Sequence, residues 1–178
     1  MAQTATIYNL AIEFSDVDRG VYETLDLRIA QQPSETKEYM LVRVLAYCLE
    51  YRDGIALTEG VAAGTEPAIL VRDLTGRVTS WIEVGMPDAD RVHRGMKLAG
   101  RAAIYTHRDA AKVVRQLSAA KIHRAGEIPV YAFDPDFIDR VAALIERRTE
   151  ITLLITERVL YLHVAGQDFT TTLQEHRL

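Results

Sequence analysis

Glu66 and Glu83 stand at the open ends of a predicted β-hairpin, and a cation-rich helix follows at once. The segment Glu66–Lys97 reads E-P-A-I-L-V-R-D-L-T-G-R-V-T-S-W-I-E-V-G-M-P-D-A-D-R-V-H-R-G-M-K. Carboxylates on adjacent strands suit Mg²⁺, a hard cation that takes oxygen ligands. Such an ion activates water and stabilises developing charge. A lysine or arginine close by takes up the remaining phosphate charge. These residue types in this order point to metal-assisted phosphodiester hydrolysis.

The hairpin can be laid out from the pattern. Ala68–Asp73 and Val78–Val84 flank a Leu74–Arg77 loop. A four-residue loop pairs Asp73 with Val78, sets Trp81 opposite Leu70, and brings Glu83 across from Ala68. Glu66 then lies one diagonal away on the same face, about 7–8 Å off. A slip of one residue would put the two carboxylates on opposite faces. Trp81, Ile82 and Val84 surround Glu83, so its strand is expected to be buried on both faces. A buried carboxylate needs a partner or an ion.

Two more carboxylates open a helix predicted over Ser34–Tyr51. Glu35, Glu38, Val42, Leu45 and Leu49 follow helical spacing and form one stripe. Lys37 occupies the position a capping-box glutamate would need, so that motif accounts for neither acid. Their first-turn position also suits the helix dipole. Arg43 lies one turn beyond and is a possible partner for a carboxylate. The helix after Glu83 carries Arg91, His93, Arg94 and Lys97, and one or two of these cations are expected to reach back to the hairpin. Arg94 and Lys97 are the favoured pair. His107, at a strand end, could be a base or a ligand, or an ordinary loop residue. Asp16 and Asp18 read as turn residues. The sequence holds no Walker glycine loop and no H-E-x-x-H.

Composition narrows the classes. The chain has 178 residues, 21 Lys and Arg against 25 Asp and Glu, and a formal net charge of −4. No global positive field draws in nucleic acid, so any such binding needs a local basic patch. A single cysteine, Cys48, excludes an internal disulfide and a cysteine-based zinc site. It lies on the stripe with Leu41, Val44 and Leu45 and reads as a buried thiol. No signal peptide or membrane span is evident, so the cytoplasm is the expected compartment.

The elements that must position these residues follow from periodicity. Thr4–Phe14 and Val21–Ala30 alternate around a turn and predict an antiparallel hairpin. Asp53–Thr65 holds three glycines and reads as loop. After the Glu66–Glu83 hairpin, helix alternates with strand: a helix from Asp88 to Gly100, a strand over Ala102–Thr106, a helix from Asp109 to Lys121, and a strand over Pro129–Phe133. This rhythm implies βαβ crossovers. Asp134-Pro135 opens a last helix to Arg147, and strands follow over Glu150–Thr156, Val159–Val164 and Asp168–Thr172. The fold class is therefore α/β, one domain over residues 1–178, with a mixed central sheet flanked by helices and antiparallel terminal strands.

The strings T-A-T-I-Y (Thr4–Tyr8), Q-P-S-E-T-K-E (Gln32–Glu38), Glu66-Pro67 and W-I-E-V-G-M-P-D (Trp81–Asp88) resemble the YaeQ family of small bacterial proteins, in order along essentially the whole chain. That resemblance implies a variation of the PD-(D/E)XK nuclease core. Such a core takes an acid from an early helix, here Glu35 or Glu38, and one from the first hairpin strand, here Glu66, with Asp73 the poorer candidate. Its second strand carries (D/E)-x-K, here Glu83-Val84-Gly85, so the motif lysine is a glycine and Arg94 or Lys97 would replace it. The implied function is a Mg²⁺-dependent nuclease or phosphodiesterase, with Glu83, Glu66 and Glu38 on the metal. The alternative is a module of the same fold that does not cut and binds nucleic acid or a protein partner.

Overall fold

The computed structural model describes residues 4–59 and 64–178. Residues 60–63 of the predicted Asp53–Thr65 loop lie outside that range. The described residues form strands β1 (Thr6–Asp16), β2 (Val21–Gln31), β3 (Ile55–Leu57), β4 (Ile69–Arg72), β5 (Val78–Val84), β6 (Ala102–Thr106), β7 (Pro129–Ala132), β8 (Arg148–Thr156), β9 (Val159–Val164), β10 (Gln167–Thr172) and β11 (Gln174–Arg177). The helices are α1 (Lys37–Leu49), α2 (Ala89–Ala99), α3 (Ala110–Ser118) and α4 (Pro135–Ala142). The class is mixed α/β, as the alternation predicts. It uses two sheets, where the pattern suggested one.

The first compact unit comprises Met1–Leu41 and Phe133–Leu173. Its sheet has the order β10-β9-β8-β1-β2. β1 pairs with β2 antiparallel and with β8 parallel. Tyr8, Leu10, Ile12 and Phe14 alternate inward from β1 and meet Ile151, Leu153 and Ile155 of β8 in the buried layer. α4 starts after the Asp134 cap, whose carboxylate accepts from the Asp136 N–H, and buries Phe137, Ile138 and Val141. It ends at Ala142, short of the predicted Arg147, where the chain tightens: the Leu144 and Ile145 N–H groups donate to the Val141 and Ala142 carbonyls at 3.0 and 3.2 Å.

The second unit comprises Val42–Ala132 and Gln174–Leu178. Its sheet has the order β11-β7-β6-β5-β4-β3, with β5, β6 and β7 parallel and the outer pairings antiparallel. The β5-α2-β6-α3-β7 run supplies the predicted crossovers. α2 and α3 cover one face, where Trp81, Val92, Met96, Ile104, Val113, Leu117 and Val130 form one buried cluster. The hairpin register holds where the acids sit: Leu70 opposes Trp81 and Ile69 opposes Ile82. Near the turn it shifts by one, so Val78 faces Arg72, not Asp73. The turn is built around Asp73, whose Oδ1 accepts from the Thr75 N–H, the Thr75 hydroxyl and the Arg77 N–H at 2.8, 2.6 and 3.1 Å. Those hydrogen bonds take Asp73 out of the strand ladder.

Candidate functional site

β5 lies between β4 and β6 and is buried on both faces from Ser80 to Val84. Trp81 and Glu83, two residues apart, share the face that α2 covers. α2 approaches closely because of Gly95. A Cβ built there would stand 2.2 Å from Trp81 Cγ. Seated that tightly, α2 brings its first turn over the end of β5.

The residue delivered there is Arg91. Its Nε donates to Glu83 Oε1 at 3.2 Å and its Nη2 to Oε2 at 3.3 Å. The same guanidinium donates to the carbonyl of Glu66 at 2.7 Å and to that of Gly64 at 3.4 Å. The Trp81 indole N–H donates to Glu83 Oε1 at 2.8 Å. Glu83 is 3% exposed, and the Arg91 side chain is 18% exposed. A two-point guanidinium–carboxylate pair is strong and directional. It satisfies the buried charge that the sequence flagged.

The other candidate residues are placed differently. The Glu66 carboxylate is 44% exposed and stands 3.8 Å from Arg72 Nη2, so Glu66 joins the Arg91 site through its backbone carbonyl only. Arg94 and Lys97 are exposed on α2. Arg94 borders a surface depression of 630 Å³ with Arg91, Asp88 and Asp90. The guanidinium on Glu83 thus comes from Arg91, a cation of the right helix but not of the favoured pair. Gly85, in the place of the motif lysine, has φ +86°, and its N–H donates to the Tyr105 carbonyl at 2.8 Å. Glycine adopts that backbone without strain and lysine does not. The strand exit into α2 therefore demands the glycine.

Glu35 and Glu38 belong to the first unit. α1 begins at Lys37, later than predicted, because the Thr36 hydroxyl accepts from the Tyr39 N–H at 3.1 Å and caps it. Glu35 precedes the helix and is buried. Its Oε2 accepts from the Gln32 N–H at 3.3 Å and its carbonyl from Gln31 Nε2 at 2.8 Å. Glu38 is half-buried in the first helical turn. Arg43 is buried and donates to the Thr58 carbonyl at 2.7 Å. Among the described residues no three His, Cys, Asp or Glu side chains gather into a set that could hold a metal ion.

Another buried carboxylate was not singled out from the sequence. Glu50, just past α1, is 2% exposed on the opposite face of the second sheet. Its Oε1 accepts from the Tyr105 hydroxyl at 2.8 Å and from Arg101 Nη2 at 2.9 Å, and its Oε2 from Arg52 Nη2 at 3.2 Å. Burial first, and the Glu50 charge second, push the Tyr105 hydroxyl well above the ordinary tyrosine range. One signal was available. An acid at a helix C-terminus opposes the dipole and calls for a compensating cation. His93 Nδ1, on α2, accepts from the His123 N–H at 3.1 Å, which ties α2 to the segment after α3.

Relatives agree with the sequence strings. The model of the family described as "YaeQ protein" matches residues 1–173. "Uncharacterized protein YaeQ" of Escherichia coli (strain K12) is 31% identical over 164 residues, spanning 91% of this chain and 90% of the relative. The counterpart from Salmonella typhi is 27% identical over 163 residues, with the same coverage. The crystal structure of YaeQ from Xanthomonas axonopodis pv. citri superposes with a TM-score of 0.87 at 29% identity, covering 97% of this chain and 98% of that one. The YaeQ structure from Pseudomonas syringae gives 0.88 at 29% identity, covering 96% and 95%. With the family pattern matched along nearly its whole length, this chain belongs to the YaeQ family.

Proposed function

We propose that the chain is a non-cutting relative of PD-(D/E)XK nucleases that binds nucleic acid through the cationic helical layer of its second unit. The observation that carries this reading is the state of Glu83. Both of its oxygens are engaged, by Trp81 and by Arg91. Mg²⁺ demands near-ideal octahedral oxygen coordination. To offer Glu83 to such an ion, the buried pair would have to open, and a buried charge stripped of its partner is costly. Glu66 turns its carboxylate toward Arg72 and only its carbonyl toward Arg91. The residues do not fit a catalytic metal.

Binding is supported by the distribution of charge. The second unit holds 14 Lys and Arg against 11 Asp and Glu, while the first holds 7 against 14. The net −4 of the chain conceals a cationic unit and an acidic one. On the second unit the acids Asp88, Asp90 and Asp109 stand at the starts of α2 and α3, and exposed Arg94, Lys97, Arg115 and Lys121 lie further along. The His93–His123 contact brings the segment holding Lys121 against α2. Such a patch holds a phosphate backbone without reading sequence.

Fluorescence anisotropy with labelled single- and double-stranded DNA and RNA tests this. Binding should weaken as salt rises, with a log–log slope of about −0.9 per neutralised phosphate on duplex DNA. The double variant R94E/K97E should bind more weakly and flatten that slope by about two contacts. Absence of binding to every one of these nucleic acids at low salt would overturn the reading in favour of a protein partner.

A further inference from the structure

We infer that β2 is a self-association edge, through which two copies of the chain pair antiparallel about Leu27. Among the described residues the two sheets end in four edge strands: β2, β10, β3 and β11. β2 is the longest, at eleven residues, against six, three and four for the others. An exposed edge is a template for pairing, and proteins guard against it with proline, charged side chains, bulges or short length. Of these β2 has only charge, in Glu23, Asp26 and Arg28, and the last two are of opposite sign. It contains no Pro, Gly or Lys. Its register against β1 runs from Thr6↔Gln31 to Asp16↔Val21 without a shift.

The sequence of β2 is complementary to itself. In an antiparallel pair centred on Leu27, Asp26 of one copy faces Arg28 of the other, and Arg28 faces Asp26. Leu25 faces Ile29, Thr24 faces Ala30, and Leu27 faces Leu27. Opposite charges directly across strands are stabilising, and like charges are destabilising. Moving the centre by one residue, to Asp26, would set Asp26 against Asp26 and remove the complementarity. Asp26 and Arg28 are both exposed, and among the described residues neither makes an ion pair. Leu27 is only half-buried, while its same-face neighbours Leu25 and Ile29 are buried. Backbone hydrogen bonds would supply the attraction and the charge pattern the register. The partner that fits this edge is therefore a second copy of the chain.

Sedimentation of the full chain across the micromolar range tests the pairing. A concentration-dependent dimer is expected. D26R and R28D should each weaken it by about tenfold or more, because each places like charges at both symmetry-related positions. The double reversal D26R/R28D should restore it. L27C should form a disulfide between copies under mild oxidation, because residue 27 faces itself, whereas T24C should not. Circular dichroism confirms that each variant is folded. A chain that stays monomeric throughout, a double reversal as weak as its parents, or cross-linking through T24C in preference to L27C would overturn the inference.

Discussion

Glu83 could be recognised in the sequence as a carboxylate in trouble, because Trp81, Ile82 and Val84 leave it no solvated side. Which cation answers it could not be read there. Arg91, Arg94 and Lys97 all follow within two turns of helix, and the choice depends on the helix phase set by the exit at Gly85 and the close seating of Gly95 on Trp81. Arg91 wins because it lies in the first turn, over the strand end. The network around Glu50 could not be read there for a related reason. Two of its partners, Arg101 and Tyr105, come from more than fifty residues away. Replacing Arg91 with alanine leaves a buried carboxylate without its cation and should destabilise the fold by about 3–5 kcal/mol, measured by urea denaturation. Lysine there should recover only part of the loss, since it lacks the two-point fork. Tyr105 adds a pH effect. Its hydroxyl titrates higher when folded than the unfolded value of about 10. The unfolded chain then loses that proton first, so the stability it contributes is complete below about pH 10 and falls as pH rises toward the folded value. Thermal melts of the parent should show this alkaline loss, and Y105F should show less of it.

At the scale of elements, the period-2 and helical patterns located most strands and all four helices, and the Trp81–Leu70 register followed from loop length. The pattern could not show the local hydrogen bonds that adjust element ends. The Thr36 hydroxyl delays α1, the Asp73 carboxylate closes the turn one residue early, and β3 and β11 are short strands that exist by pairing with β4 and β7. The element contact most open to test is α2 on β5. On helix propensity alone, alanine at position 95 should stabilise by about 1 kcal/mol. The added Cβ would run into the Trp81 ring, which reverses that sign. Gly95→Ala should cost about 1–3 kcal/mol through overpacking, read by denaturation, with a change in Trp81 fluorescence.

At the scale of the whole molecule, alternation of strand and helix fixed the class but not the number of sheets. The parallel pairing of β1 with β8 joins segments more than a hundred residues apart, and local periodicity carries no record of such a partner. The partition of charge was hidden in the same way, because it appears only when residues are sorted by compact unit. We propose that this YaeQ-family chain holds nucleic acid without hydrolysing it, because Glu83 is committed to Arg91 and Trp81. The most direct measurement incubates end-labelled DNA and RNA with the chain and excess Mg²⁺ or Mn²⁺, and follows binding and strand integrity together, with E83Q alongside. Bound, intact strands are expected in every case, with E83Q binding as the parent does. Metal-dependent cleavage by the parent that E83Q abolishes would contradict it.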